Sequence, residues 1–382
     1  MTPVLENAAA GDVLQAVEAD LLQNTGGTAV EWYGRAGTAL YRAYTIAISN
    51  HPKDQGAEVI LPSISCATPA NTALLAGAIP RFADVNSTNG MPTLEAIQAR
   101  WTPKTRAVVF IHLFGQTADL RRLAAWCREK NVLLIEDLAQ ALGARLPDGN
   151  VAGSVGDLVV YSFNPTKILE CGGGALVVRS KDLANISADL SKYEPLPPEI
   201  DDEAARGLAL SYRNLHHSLV GLLRIRAVRD ISVPFLQLQP AFRSLYLRRM
   251  KNPAALASAW RNLEEVLTHR LRNAEKYDEV LAGGPWQRLD QWRQSGVCWR
   301  YSLIVDFPER LVEFSEVVRR EGFHVSNLYW PVNDFFRPED TCPNADQFAR
   351  RIINLWVDGS MDRQSVRKCG ESLLKNAERF VA

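Results

Sequence analysis

In the run Val159–Ala175, VVYSFNPTKILECGGGA, Ser162 closes a β-branched stretch, Asn-Pro makes a turn, and Lys167 sits in a loop ended by three glycines. Most lysines are solvated surface charges. One placed just beyond a strand, beside a hydroxyl and a Gly run, can attack a carbonyl and form a Schiff base where its surroundings favour the neutral amine. Upstream, NVLLIEDLAQALGA sets Asp137 immediately after a buried-strand pattern, with Gln140 three residues on. Two readings of Asp137 stay open. It caps the following helix, or its carboxylate pairs with the protonated ring nitrogen of a pyridine cofactor and keeps that ring electron-accepting. The spacing of Asp137 and Lys167 suits neighbouring loops of one sheet. In YGRAGTALYRAYTIAIS, Gly37 and Thr38 open an amphipathic helix, whose N-terminal amides suit a phosphate and equally suit a plain cap. His112, in HLFGQ, falls at a strand end and reads as a packing residue.

These residues need a scaffold of strand ends. Between about residues 57 and 180, EVILP, IPRFADV, RAVVFIHL, NVLLIED, LVVYSF and GALVVRS alternate with the helical patterns PANTALLAG, LEAIQARW and LRRLAAWCREK. That alternation predicts an α/β fold, a doubly wound, mostly parallel sheet with right-handed crossovers. Ligands of such sheets bind beyond the carboxyl ends of the strands. Residues 181–250 read as an irregular insert, Pro-rich and acidic and then apolar and basic. A single long helix in ALASAWRNLEEVLTHRLRNAEKYDEVLAG, stopped at Gly283 and Gly284, is expected to lead into a small α+β domain. The expected division is 1–250 for the large domain and 251–382 for the linking helix and small domain.

The chain has 382 residues, enough for a large core, and its 43 Lys plus Arg balance 43 Asp plus Glu. No bulk field favours nucleic acid or an anionic membrane, so specificity must lie in a local site. The N-terminus lacks a basic region followed by an apolar one, and no apolar run approaches the roughly 20 residues of a membrane span, so a cytoplasmic protein is expected. Six cysteines without ligand spacing read as free thiols, and no metal site is expected. The basic and apolar stretch 215–245 reads as a dimer-packing element, with contact to a membrane surface as its alternative.

SFNPTK followed by GGGA, with GTAL, HLFGQTADL and IEDLAQALGA upstream in that order, resembles the DegT/DnrJ/EryC1 group of fold-type-I pyridoxal-phosphate sugar aminotransferases. The resemblance implies pyridoxal 5′-phosphate as cofactor, with Lys167 as its covalent attachment and proton shuttle. Asp137 would pair with the ring nitrogen, Gln140 would bond the ring hydroxyl, and Gly37, Thr38 and Ser162 would hold the phosphate. It further implies a homodimer and transfer of an amine, usually from glutamate, to a nucleotide-linked keto sugar in polysaccharide or natural-product biosynthesis. Asn327 and Tyr329, in SNLYWP, would lie near the substrate. Two positions depart from the pattern. Cys66 stands where many relatives stack an aromatic ring on the cofactor, and Leu247 stands where many carry an Asn before Arg-Met, leaving Arg248 or Arg249 to reach the phosphate. The alternatives are sugar dehydration on the same cofactor, which retention of Lys167 disfavours, and a catalytically silent binding or regulatory relative.

Overall fold

The β-branched runs become the strands of one sheet whose central members are buried on both faces, as in Glu58–Pro62 and Leu158–Ser162, where all positions are buried. A computed structural model describes residues 10–52, 55–193, 196, 201–224, 243 and 245–381. Its larger sheet contains β1 (Ala29–Tyr33), β2 (Glu58–Pro62), β3 (Ile79–Ala83), β4 (Thr105–Ile111), β5 (Leu133–Asp137), β6 (Leu158–Ser162) and β7 (Gly174–Val178), in the order β1-β7-β6-β5-β4-β2-β3. From β3 through β2, β4 and β5 to β6 the pairings are parallel, so the α/β expectation holds. β7 departs from it and runs antiparallel to both β6 and β1. Residues 163–173 form a loop with no crossover helix, so the chain returns antiparallel beside the strand it left. β1, AVEWY, has no counterpart among the strands expected from sequence.

The expectation of irregular structure over 181–250 is corrected in part. Lys181–Tyr193 and Asp202–Arg224 are helices. Leu208, Tyr212, Leu219 and Leu223 recur at helical spacing and pack on the main core, which explains the second of them. Most of 215–245, and with it the membrane-surface reading, lies outside the described residues. The expected single linking helix is two helices, Pro253–Arg261 and Leu263–Val280, which part at Asn262. The first packs on Ala10–Thr25 and the second on the final helix, Arg363–Val381.

The second sheet is antiparallel throughout: β8 (Trp286–Leu289), β9 (Tyr301–Val305), β10 (Val325–Ser326) and β11 (Ile352–Leu355), in the order β10-β11-β9-β8. It has its own core, in which Tyr277, Leu303, Phe314, Ile353 and Leu373 join the sheet to the helices Leu263–Val280, Leu311–Arg320 and Arg363–Val381. Among the described residues no helix is long and apolar enough to cross a membrane.

Candidate active site

Parallel pairing brings the candidate residues together. Asp137 closes β5 opposite Ile111 of β4 and Val160 of β6, so its loop neighbours the one that carries Lys167. The Asp137 carboxylate is buried, and its Oδ1 accepts the Ala139 N–H at 2.8 Å in an Asx-type turn; residues 138–157 contain no helix, so the helix-capping reading does not hold. Among the described residues its Oδ2 has no hydrogen-bond partner. Burial pushes the carboxyl pKa up, opposed by the Ala139 N–H and by the charges of Lys167 and His112.

Lys167 is half-buried, in a loop whose backbone is held from helix Leu263–Val280 and from the residues just before β9. The Trp299 indole N–H donates to the Thr166 carbonyl at 2.7 Å, and Arg270 Nη2 donates to the Lys167 carbonyl at 3.1 Å. The Lys167 ammonium lies 5.6 Å from the centroid of the Trp299 ring. Neither Trp299 nor Arg270 was expected from the sequence.

Ser162 ends β6 opposite Gly174 of β7, and Gly174 has to be glycine because the chain at Arg35 and Ala36 crosses directly over it. A Cβ at 174 would lie 2.4 Å from the Ala36 amide nitrogen. This contact sets the first turn of helix Ala36–Ile48, with Gly37 and Thr38, one strand away from Ser162. The Ser162 hydroxyl accepts a long 3.4 Å bond from Asn164 Nδ2. The Thr38 hydroxyl is committed to the chain: it donates to the Tyr246 carbonyl at 2.5 Å and accepts the Arg248 N–H at 2.9 Å. Thr38 therefore anchors the 246–248 segment and does not offer its hydroxyl to a ligand. That anchoring delivers Arg248, buried, to the neighbourhood of Arg35. Burial first, and the charge of Arg248 as well, holds the Arg35 guanidinium below its usual range. Leu247 is buried between them in sequence.

Gln140 is buried and ties two further loops to its own. Its Oε1 accepts the Phe114 N–H at 2.7 Å and its Nε2 donates to the Tyr329 hydroxyl at 3.0 Å. Tyr329 thus reaches the site as expected. Asn327 does not, because its amide donates to Ser315 Oγ and the Ile352 carbonyl and accepts from Arg319. Phe114, at φ 56°, stacks on Trp299 with ring centroids 5.9 Å apart. His112 is fully buried, as its packing role requires, but it is also paired, its Nε2 3.1 Å from Glu136 Oε2. Cys66 is half-buried and lines a cavity of about 180 Å³ with Thr68, Tyr212, His216, Tyr246 and Tyr329.

The model of the DegT/DnrJ/EryC1/StrS aminotransferase family matches residues 11–196, a span that contains Gly37, Asp137, Gln140, Ser162 and Lys167. A relative in Saccharopolyspora spinosa, dTDP-4-dehydro-2,3,6-trideoxy-D-glucose 4-aminotransferase, is 29% identical over 337 residues, covering 86% of this chain and 80% of the relative. Among solved structures, the aminotransferase TlmJ from Streptoalloteichus hindustanus superposes with a TM-score of 0.73 at 20% identity, covering 98% of both chains. DesI, solved in the presence of its TDP-sugar product, gives 0.75 at 22% identity, covering 98% of this chain and 86% of that one. At those identities the structures speak for the fold alone, whereas the ordered motifs and the sequence matches speak for descent. By both lines the chain is similar to members of the DegT/DnrJ/EryC1/StrS aminotransferase family, whose model matches residues 11–196.

Proposed function

We propose that this aminotransferase uses pyridoxal 5′-phosphate and moves an amino group, from glutamate or a similar donor, to the keto carbon of a nucleotide-linked sugar. The observation that carries the cofactor is the meeting of Asp137 and Lys167 at the ends of adjacent parallel strands, with one oxygen of the buried carboxylate left unpaired among the described residues.

The residues present fit that group. A buried carboxylate with an open oxygen suits a protonated pyridine nitrogen, whose charge would oppose the rise that burial imposes on the Asp137 pKa. Ser162, the first-turn amides of helix Ala36–Ile48, and the crowded guanidinium groups of Arg35 and Arg248 suit a phosphate. The hydroxyl of Thr38 is not part of this set. Gln140 keeps one amide hydrogen beyond the bond to Tyr329, and that hydrogen is the one available to the ring hydroxyl. Bound there, the cofactor supplies an electron sink for the carbon that bears the amine. Lys167 would hold it through Nζ and, once displaced by the incoming amine, carry the substrate proton on that same nitrogen. Asp137 would keep the ring nitrogen protonated, and the loops braced by Gln140 would exclude water.

The nucleotide-sugar part of the reading rests on the names of the relatives, one of which acts on a dTDP-linked keto sugar. We also propose a homodimer. We propose that the cofactor-binding unit ends near residue 250, with the two linking helices, Pro253–Arg261 and Leu263–Val280, leading into the small unit.

The test is optical. Purified protein loaded with pyridoxal phosphate should absorb in the violet, lose that band in Lys167→Ala, and bleach when given glutamate. A colourless protein that takes up no cofactor would overturn the reading. A loaded protein whose band survives every common amino donor would leave the cofactor but remove amino transfer.

A further inference from the structure

We infer that Trp299 is a positioning residue for Lys167 and acts with Arg270 as a clamp on the lysine loop; the inference rests on Lys167 being the reacting amine. The loop is poorly suited to hold itself. Thr166 has φ 75°, and Gly172 and Gly173 follow at 82° and 98°, so its ends are in conformations that resist regular structure. Lysine adds a flexible four-carbon stem.

Against this freedom, two consecutive carbonyls are tied down by side chains that are each only 2% exposed. Trp299 holds the carbonyl of Thr166 and Arg270 holds that of Lys167. The two clamps are themselves joined, because Arg270 Nη1 donates to the Trp299 carbonyl at 3.0 Å. Among the described residues no carboxylate lies within ion-pair distance of Arg270, so its buried charge is directed at two neutral carbonyls. Such burial is costly for stability, and burial together with the nearby Arg300 brings its pKa down to about 10. The Trp299 ring is oriented in turn: Phe114 stacks on it with an interplanar angle of 3°, and Phe114 is pinned through its N–H by Gln140. The chain of contacts runs from Gln140 through Phe114 and Trp299 to the lysine loop. It joins the loops of the large sheet to the residues just before β9, so a shift of the second unit alters where Lys167 Nζ is presented. Misplacing a reacting group by about 1 Å can cost on the order of a hundredfold in rate.

Trp299→Phe keeps an aromatic face and removes the N–H donor, Trp299→Leu removes both, and Arg270→Met removes the second tie. Trp286→Phe, whose indole donates to the Leu281 carbonyl away from the lysine loop, is the control. In the cofactor-free protein, amide hydrogen exchange across 164–170 should quicken about tenfold in Trp299→Phe, the effect of losing one buried hydrogen bond, while 133–137 and 158–162 keep wild-type rates. In the loaded enzyme kcat should fall about tenfold with KM for the amino donor within about twofold, and Trp299→Leu should lose more. Wild-type exchange across 164–170, or quickening spread equally over the β5 and β6 core, overturns the clamp. Should Trp299→Leu fail to fold, Trp299→Phe carries the test. If borohydride does not fix the cofactor to Lys167 in the wild type, the proposed function fails, and the exchange measurement still decides whether Trp299 orders the loop.

Discussion

The side-chain amide of Gln140 donates to the hydroxyl of Tyr329 at 3.0 Å, joining the loop after β5 to the segment that follows β10. The same amide accepts the Phe114 N–H, so a single residue braces three loops at the site. Replacing Gln140 by Leu leaves a buried N–H and a buried hydroxyl without this partner, and should cost about 3 kcal/mol of stability. Tyr329→Phe removes one bond without stranding the backbone N–H and should cost about 1 kcal/mol. Urea denaturation of both variants checks this, and equal losses would contradict the three-loop brace.

Gly174→Ala places a methyl group 2.4 Å from the Ala36 nitrogen, against backbone that cannot swing aside as a side chain could. The start of helix Ala36–Ile48 must shift, costing about 1–3 kcal/mol as overpacking does. Because that helix start lies over Gly174, the strand partner of Ser162, affinity for pyridoxal phosphate should drop about tenfold or more, measured by absorbance titration. Unchanged affinity in a destabilised protein would separate the helix start from phosphate binding.

Asp137→Asn should make the cofactor-free protein more stable at neutral pH. Burial raises the Asp137 pKa in the folded state, so the stability its protonated form contributes is complete below the unfolded pKa and is lost as pH rises through the folded one. Asparagine keeps Oδ1 for the Ala139 N–H without the buried charge. Amino transfer should fall about a hundredfold or more, since a neutral amide cannot keep the ring nitrogen protonated. Thermal melts at several pH values test the first half: the gain should shrink toward acid pH.

Glu136 shows the opposite sign. Burial pushes its pKa up, but the bond and charge of His112 and the N–H donors of Gly156 and Gly153 outweigh it and hold the carboxyl below its usual range. Its contribution is present above the unfolded pKa and disappears as pH falls through the folded one. Glu136→Gln should therefore cost about 3 kcal/mol at neutral pH, the scale of breaking a buried pair, and progressively less under acid. A pH-independent difference between the two proteins would refute the charged role of this residue.

The strands β2 to β6 were legible because a strand buried on both faces is rich in apolar residues, as VLLI and LVVY are. Asp137 and Ser162 stood out as candidates because a polar residue at the end of such a run has few structural reasons to be there, and Gln140 and Lys167 because they lie in the loops that follow. The direction of β7 was not legible, since its composition is the same whichever way it runs and only the loop 163–173 turns it back. The long helical pattern after residue 252 could not announce its break at Asn262, because each half keeps its own apolar periodicity. Thr38 had the right type for a phosphate contact, but its partner is carbonyl backbone more than two hundred residues away.

By its own residues the sequence determined a mostly parallel α/β core and the resemblance to the DegT/DnrJ/EryC1/StrS aminotransferases, and it singled out Lys167 and Asp137 as candidates. Tertiary structure alone decided that Trp299 and Arg270 grip the lysine loop, that Arg35 and Arg248 crowd one helix start, and that Gln140 reaches Tyr329. Strand ends and motif residues obey rules of near neighbours along the chain. A clamp built from residues over a hundred positions away depends on how two sheets pack, and no local pattern carries that information.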